Sequence, residues 1–162
     1  MAIHQGPSMA PTLSSVTATV DKWITIPAAG FGSSYTDPLG LWDVPSGGAY
    51  IYTTADGQEK IFPIVLGTGS VVNNVRVEYQ GRTAADGVGL EFVYRGPTDT
   101  AWTPVAPSNY TSAAQVVVGP ASIPATTIVA GIDYGIRITS LVVGTGWLKV
   151  FSVGYHTTSR SL

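Results

Sequence analysis

The sequence is sparing with side chains that carry chemistry. Its only histidines are His4 and His156, and it contains no cysteine. Imidazole and thiolate metal centres need three or four such ligands converging on one point, so a transition-metal site is not expected. Calcium sites draw on clustered oxygens, commonly in D-x-[DN]-x-[DN] runs. Here Asp21, Asp37, Asp43, Asp56, Asp86, Asp99 and Asp133 are scattered, and Asp56 and Asp86 each precede a glycine as turn residues. An ion held between loops is the one calcium arrangement left open. A nucleophilic serine or threonine needs a base and an orienting group beside it. The two histidines lie near the ends of the sequence, and no G-x-S-x-G elbow occurs. Glu78 and Glu91 are the carboxylates that adjacent strands would pair for glycoside cleavage. Each sits in an alternating polar face with Arg76 or Arg95, so a solvated cross-strand ion-pair ladder is expected instead. Gly67-Thr68-Gly69 is too short for a phosphate loop and precedes no helix. The residue inventory therefore names no catalytic residue, no cofactor and no metal, and predicts that the chain is not an enzyme.

The elements that would hold any site are strands. Val16-Thr17-Ala18-Thr19-Val20 and Trp23-Ile24-Thr25-Ile26 are β-branched and aromatic, ending at Pro27. A long Gly/Pro-rich connection from Ala28 to Gly48 follows. Ala49–Thr54 and Lys60–Leu66 read as a hairpin joined through Asp56-Gly57, with Pro63 placing the second strand at an edge or a bulge. Val75, Val77 and Tyr79 alternate with Arg76, Glu78 and Gln80. Leu90, Phe92 and Tyr94 alternate with Glu91 and Arg95, so both strands have one buried and one wet face. The segment between them carries a second turn signal, Asp86-Gly87. A Pro-rich stretch from Gly96 to Pro107 leads to Gln115–Val118 and Thr126–Val129. Tyr134–Val143 and Trp147–Tyr155 close the pattern through Gly144-Thr145-Gly146. No ten-residue stretch free of Gly and Pro has a helical apolar stripe. About eight or nine strands predict an all-β, antiparallel two-sheet β-sandwich of jelly-roll type spanning residues 15–162. Residues 1–14 read as an extended N-terminal arm, either a disordered tail or a segment ordered across a neighbouring subunit.

Composition narrows the partners. Charged residues make up 11% of the 162 residues, against roughly 25% in ordinary domains; so few charges point to a surface partly covered by partners, the alternative being a neutral surface of Ser, Thr, Asn and Gln. The net charge is −2 with no Lys/Arg cluster, which disfavours nucleic acid and membrane surfaces. No apolar run reaches transmembrane length, and Met1–Pro7 has neither a basic n-region nor an apolar h-region, so no secretion signal is expected. Trp23 and Trp147, inside strands, read as core or inter-sheet residues. Trp42 and Trp102 lie in Pro/Gly-rich loops, where an exposed contact suits a sugar or a protein equally well.

The extended arm, the cysteine-free Gly/Thr/Val-rich strands and the Trp147-to-Tyr155 closing strand resemble the small jelly-roll virion proteins of tailed bacteriophages, most of all the capsid decoration, or cement, proteins. The resemblance implies a non-catalytic protein of the virion, made in the host cytoplasm. It would form a homotrimer and bind the major capsid protein or other virion subunits. It also implies that the arm, with Ile3, His4, Met9 and Leu13, and the loops holding Trp42 and Trp102 make the contacts. The alternative is a carbohydrate- or receptor-binding sandwich, such as a fibre tip or accessory module.

Overall fold

A computed structural model of the chain describes residues 19–31, 42–45, 48–120 and 122–160. The expected arm, with Ile3, His4, Met9 and Leu13, lies outside the described residues. The described residues form ten strands: β1 (Thr19–Pro27), β2 (Ile51–Thr53), β3 (Glu59–Ile64), β4 (Val71–Gly81), β5 (Gly87–Arg95), β6 (Thr103–Thr111), β7 (Val116–Val118), β8 (Thr126–Thr127), β9 (Asp133–Leu141) and β10 (Leu148–Arg160). A short 3₁₀ turn, Ala28–Phe31, follows β1.

The strands form two antiparallel sheets. In the first, β10 lies between β4 and an edge shared by β1 and β2, and β4 carries β7 and β8 on its far side. The second runs β3-β9-β5-β6. The chain crosses between the sheets at β2–β3, β3–β4, β4–β5, β6–β7, β8–β9 and β9–β10, in keeping with the jelly-roll sandwich expected from the sequence. The first sheet turns Ile51, Val72, Val75, Val77, Tyr79, Leu148, Val150 and Val153 inward; the second answers with Phe62, Val88, Leu90, Phe92, Ile136 and Ile138, all essentially buried. Each such side chain contributes about 1.5–3 kcal/mol by leaving water, well above the 0–1 kcal/mol or so of an exposed ion pair. Packing between the sheets thus decides the fold.

The turn signals mark reversals, but not hairpins. Asp56-Gly57, Asp86-Gly87 and Gly144-Thr145-Gly146 each connect strands of opposite sheets: β2 to β3, β4 to β5 and β9 to β10. Alternation identifies a strand and its buried face, but two such strands bury their apolar faces equally well side by side or facing across a core. Val75, Val77 and Tyr79 therefore face Leu90 and Phe92 across the interior, and the expected ladder of Arg76, Glu78, Glu91 and Arg95 does not form. The hairpin in this part of the chain is β5–β6, in the Pro-rich stretch. β6 is an edge strand paired only with β5, so Pro104 and Pro107 interrupt no second ladder. A bulge opposite Leu90 and Phe92 includes Ala106, at φ 49°. Pro63 lies on β3, the other edge of the second sheet, as its sequence context predicts.

Three tryptophans depart from the sequence expectation, one of them Trp147, which is half-buried just before β10 and not in the core. Trp42, expected at the surface, is fully buried in the core, and its indole N–H finds no acceptor among the described residues. A loop's composition reports on its backbone, and a bulky ring beside the sandwich is drawn inward by its apolar area. Trp23, expected inside, is 38% exposed because it alternates with the inward Ile24 and Ile26 on an edge strand.

Candidate functional site

The outward face of the first sheet holds a groove of about 380 Å³ lined by Pro45, Tyr50, Tyr52, Thr54, Trp147 and Lys149. Strand alternation places these side chains. Tyr52 lies between the buried Ile51 and Thr53, so it must point outward; Tyr50, two residues earlier, shares its face. Lys149 lies between the buried Leu148 and Val150 and is directly opposite Tyr52 in the β2–β10 ladder. A bulge between Val150 and Ser152 adds Phe151, whose ring meets Tyr50 edge-on at 5.4 Å. The Lys149 ammonium is 4.7 Å from the Tyr50 ring centroid and 4.6 Å from that of Trp147. These are cation–π distances, and among the described residues no carboxylate pairs with this lysine.

Trp147 is positioned by a buried carboxylate. Asp86 is fully buried at the β4–β5 arch. Its Oδ2 accepts from the Thr83 backbone N–H and hydroxyl, both at 2.9 Å, and its Oδ1 accepts from the Val143 N–H at 2.8 Å. Burial pushes the carboxyl pKa up, but the Val143 and Thr83 hydrogen bonds and the nearby Arg82 outweigh it, and the net shift is downward. Gly146 packs so close that a Cβ there would strike the Asp86 carboxylate. The Arg82 N–H donates to the Trp147 carbonyl at 3.0 Å and its guanidinium to the Thr145 carbonyl at 2.6 Å. The β4–β5 arch thereby clamps the β9–β10 arch and sets Trp147 at the groove.

Further along the same face lies a second aromatic cluster. The Arg76 guanidinium is 4.3 Å from the Trp23 ring centroid and donates to Thr25 Oγ1 at 3.0 Å. It crosses β10 where Gly154 has no side chain; a Cβ there would come within 3.1 Å of Arg76 Nε. His156 packs against Trp23, and its ring nitrogens meet Asn73 Oδ1 at 2.6 Å and Asp21 Oδ1 at 3.1 Å. Ser122 lines the adjoining groove, but with both nitrogens engaged His156 has none left to activate a hydroxyl. Between the clusters Glu78 accepts from Gln115 at 2.8 Å and Ser152 at 3.1 Å.

The second sheet has a different outer face. Arg137 lies opposite Glu91 and binds it through Nε at 2.6 Å, with Glu59 3.7 Å away; Arg95 pairs with Asp133 at 3.0 Å. Glu78 and Glu91 are therefore on different sheets and do not form a catalytic pair. Trp102 is half-buried under Arg95, 4.6 Å from its centroid, in a cleft of about 480 Å³ that also contains the exposed Val65 and Val129. Of the expected contact residues, then, Trp102 lines a cleft and Trp42 is in the core. Tyr50, Tyr52 and Lys149 were not singled out by sequence, and Trp147 was expected in the core or between the sheets. Their signal was the Tyr50-x-Tyr52 and Trp147-x-Lys149-x-Phe151 alternation, which puts aromatics opposite the apolar core face. Among the described residues no group of three or more His, Asp or Glu side chains is placed to hold a metal ion.

No family model and no curated protein sequence matches the chain. Its fold is nevertheless shared with solved structures. The CBM36-1 domain of a multidomain xylanase from the hindgut metagenome of Trinervitermes trinervoides superposes with a TM-score of 0.52 at 5% identity, over 87% of this chain and 99% of that one. A family two carbohydrate esterase from Cellvibrio japonicus gives a TM-score of 0.51 at 12% identity, over 88% of this chain. The match spans 36% of the esterase, about a third of its length.

Proposed function

We propose that this protein is a non-catalytic carbohydrate-binding module whose sugar platform is the groove of Tyr50, Tyr52 and Trp147. The observation that carries the reading is three half-buried aromatic rings gathered on an outward sheet face, where the core does not require them. Sugar rings present flat C–H faces that stack on such rings, while hydroxyls take hydrogen bonds from groups such as Thr54. The shared fold with the CBM36-1 domain of a multidomain xylanase supports the reading; a fold alone assigns no ligand. Glycan-array screening of the wild type and Trp147→Ala tests it. Binding that requires Trp147 is expected; a full panel without any bound glycan removes the proposal.

A second reading, the virion decoration role, draws on the Trp102 cleft. Val65 is 87% exposed there, and exposed apolar side chains around an aromatic suit a protein contact. In this role the chain is a homotrimer seated on an assembled shell, gaining affinity from three weak contacts at once. Light scattering after size-exclusion chromatography tests it: a trimer weakened by Trp102→Ala supports the reading, and a strict monomer counts against it.

A further inference from the structure

Lys149 gives the groove a property that a platform for neutral sugars does not need. Its ammonium is held between the Tyr50 and Trp147 rings at 4.7 and 4.6 Å and lacks a carboxylate partner among the described residues. The rings restrain the charge and shed part of its water, which strengthens its attraction for an anion. The other cations of this region lie outside the groove: Arg82 donates to Thr145, and Arg76 donates to Thr25 Oγ1 over the Trp23 ring. The groove thus offers one point charge without an arginine fork, a match for a single negative charge rather than for a phosphate dianion.

We propose that the groove takes a carboxylate-bearing sugar, a uronic or sialic acid residue, whose ring stacks on the aromatic platform while its carboxylate meets the Lys149 ammonium. The inference rests on the carbohydrate-binding reading and specifies its ligand class. The surroundings also orient the ligand. Asp43 pairs with Tyr52 on the side of β2 away from β10, so it stands two strand spacings, roughly 10 Å, from Lys149. On the β4 side Gln80 is the cross-strand neighbour of Lys149 and Glu78 lies two residues further along β4; repulsion from Asp43 and Glu78 confines the sugar carboxylate to the Lys149 ammonium between them.

Paired ligands that differ only in the charge test this by titration calorimetry on the full chain. Trigalacturonic acid is compared with its methyl ester, and sialyllactose with its sialic acid methyl ester. The acid of at least one pair is expected to bind about tenfold or more tightly than its neutral partner, the scale of one hydrogen bond to a charged group. That preference should shrink as salt is raised, and Lys149→Gln should bring the ratio near one. Equal affinity of the wild type for both members of each binding pair overturns the acidic-sugar inference and leaves the carbohydrate-binding reading in place. So does a preference that survives Lys149→Gln. Failure of every acid and every neutral partner to bind, with the glycan panel also blank, removes the parent reading and the inference with it.

Discussion

Arg137 on the second sheet lies between two carboxylates, Glu91 and Glu59, whereas Lys149 on the first lies between two rings, Tyr50 and Trp147. Both cations are half-buried on outward faces of long central strands, β9 and β10. The second face completes its own electrostatics: Glu91, Arg137, Arg95 and Asp133 are matched within the chain. On the first, Lys149 and Arg76 rest on aromatic rings without an ion pair among the described residues, and Glu78 accepts only neutral donors. A face that satisfies its charges internally gains little from a ligand. A face that parks cations on rings retains unspent attraction for one. On the proposed reading, the first sheet is the binding face and the second is structural.

The largest expected effect comes from the residue that fixes the first face in place. Asp86→Ala removes three hydrogen bonds to a buried carboxylate, each worth about 1.5–3 kcal/mol and not additive; a loss of roughly 3 kcal/mol in urea unfolding is expected. Ligand affinity should fall with it as the Trp147 arch loosens. An unchanged midpoint would break the claim that Asp86 organises the site. Acid should reproduce part of this loss. Since the folded Asp86 pKa is depressed, its contribution is complete above the unfolded value of about 3.9 and disappears as pH drops through the folded value. Wild-type stability measured from pH 5 downward should therefore decline more steeply than that of Asp86→Asn.

Next in size is Arg137→Ala, which strands Glu91 in a mostly covered position and should cost about 1–2 kcal/mol, with glycan binding intact. A binding defect in this variant would erase the distinction between the two faces. Trp147→Ala should do the converse, moving stability by less than about 1 kcal/mol and reducing ligand affinity. Smallest is Arg76→Ala, where an exposed cation–π contact contributes about 0.5–1 kcal/mol. At the alkaline end, burial raises the Tyr79 hydroxyl, with Tyr110 adding to the shift, and burial raises Tyr155. The unfolded chain then ionises first, so stability should fall as pH climbs past about 10.

The fold class was legible because period-two alternation survives in Val75–Gln80 and Leu90–Arg95 whatever their partners. Strand pairing was not. Asp-Gly dipeptides specify a reversal, and only the shape of the whole core decides whether the returning strand lies alongside or across. The site was legible only in part for the same reason. Trp102 lay where a loop aromatic was expected, yet Trp42 had core space available and Trp23 did not. Tyr50, Tyr52 and Trp147 read as ordinary strand aromatics until the register set their face outward. The Asp86 clamp was hidden for another reason: an Asp before Gly already has a sufficient local role, and nothing local reports a contact with Val143, 57 residues away.

The place of β10 has a consequence for how the chain is made. β1, β2 and β4 all hydrogen-bond to β10, and β10 follows all of them in sequence order. During synthesis the first sheet therefore waits, its central member missing, until residues 148–160 leave the ribosome. Until then β4 exposes an unpaired edge, the kind of surface that recruits other chains. Closing contacts between residues more than 120 positions apart is slow. Folding of the first sheet accordingly follows the emergence of residues 148–160, and the exposure of β4 beforehand is its window of vulnerability to aggregation.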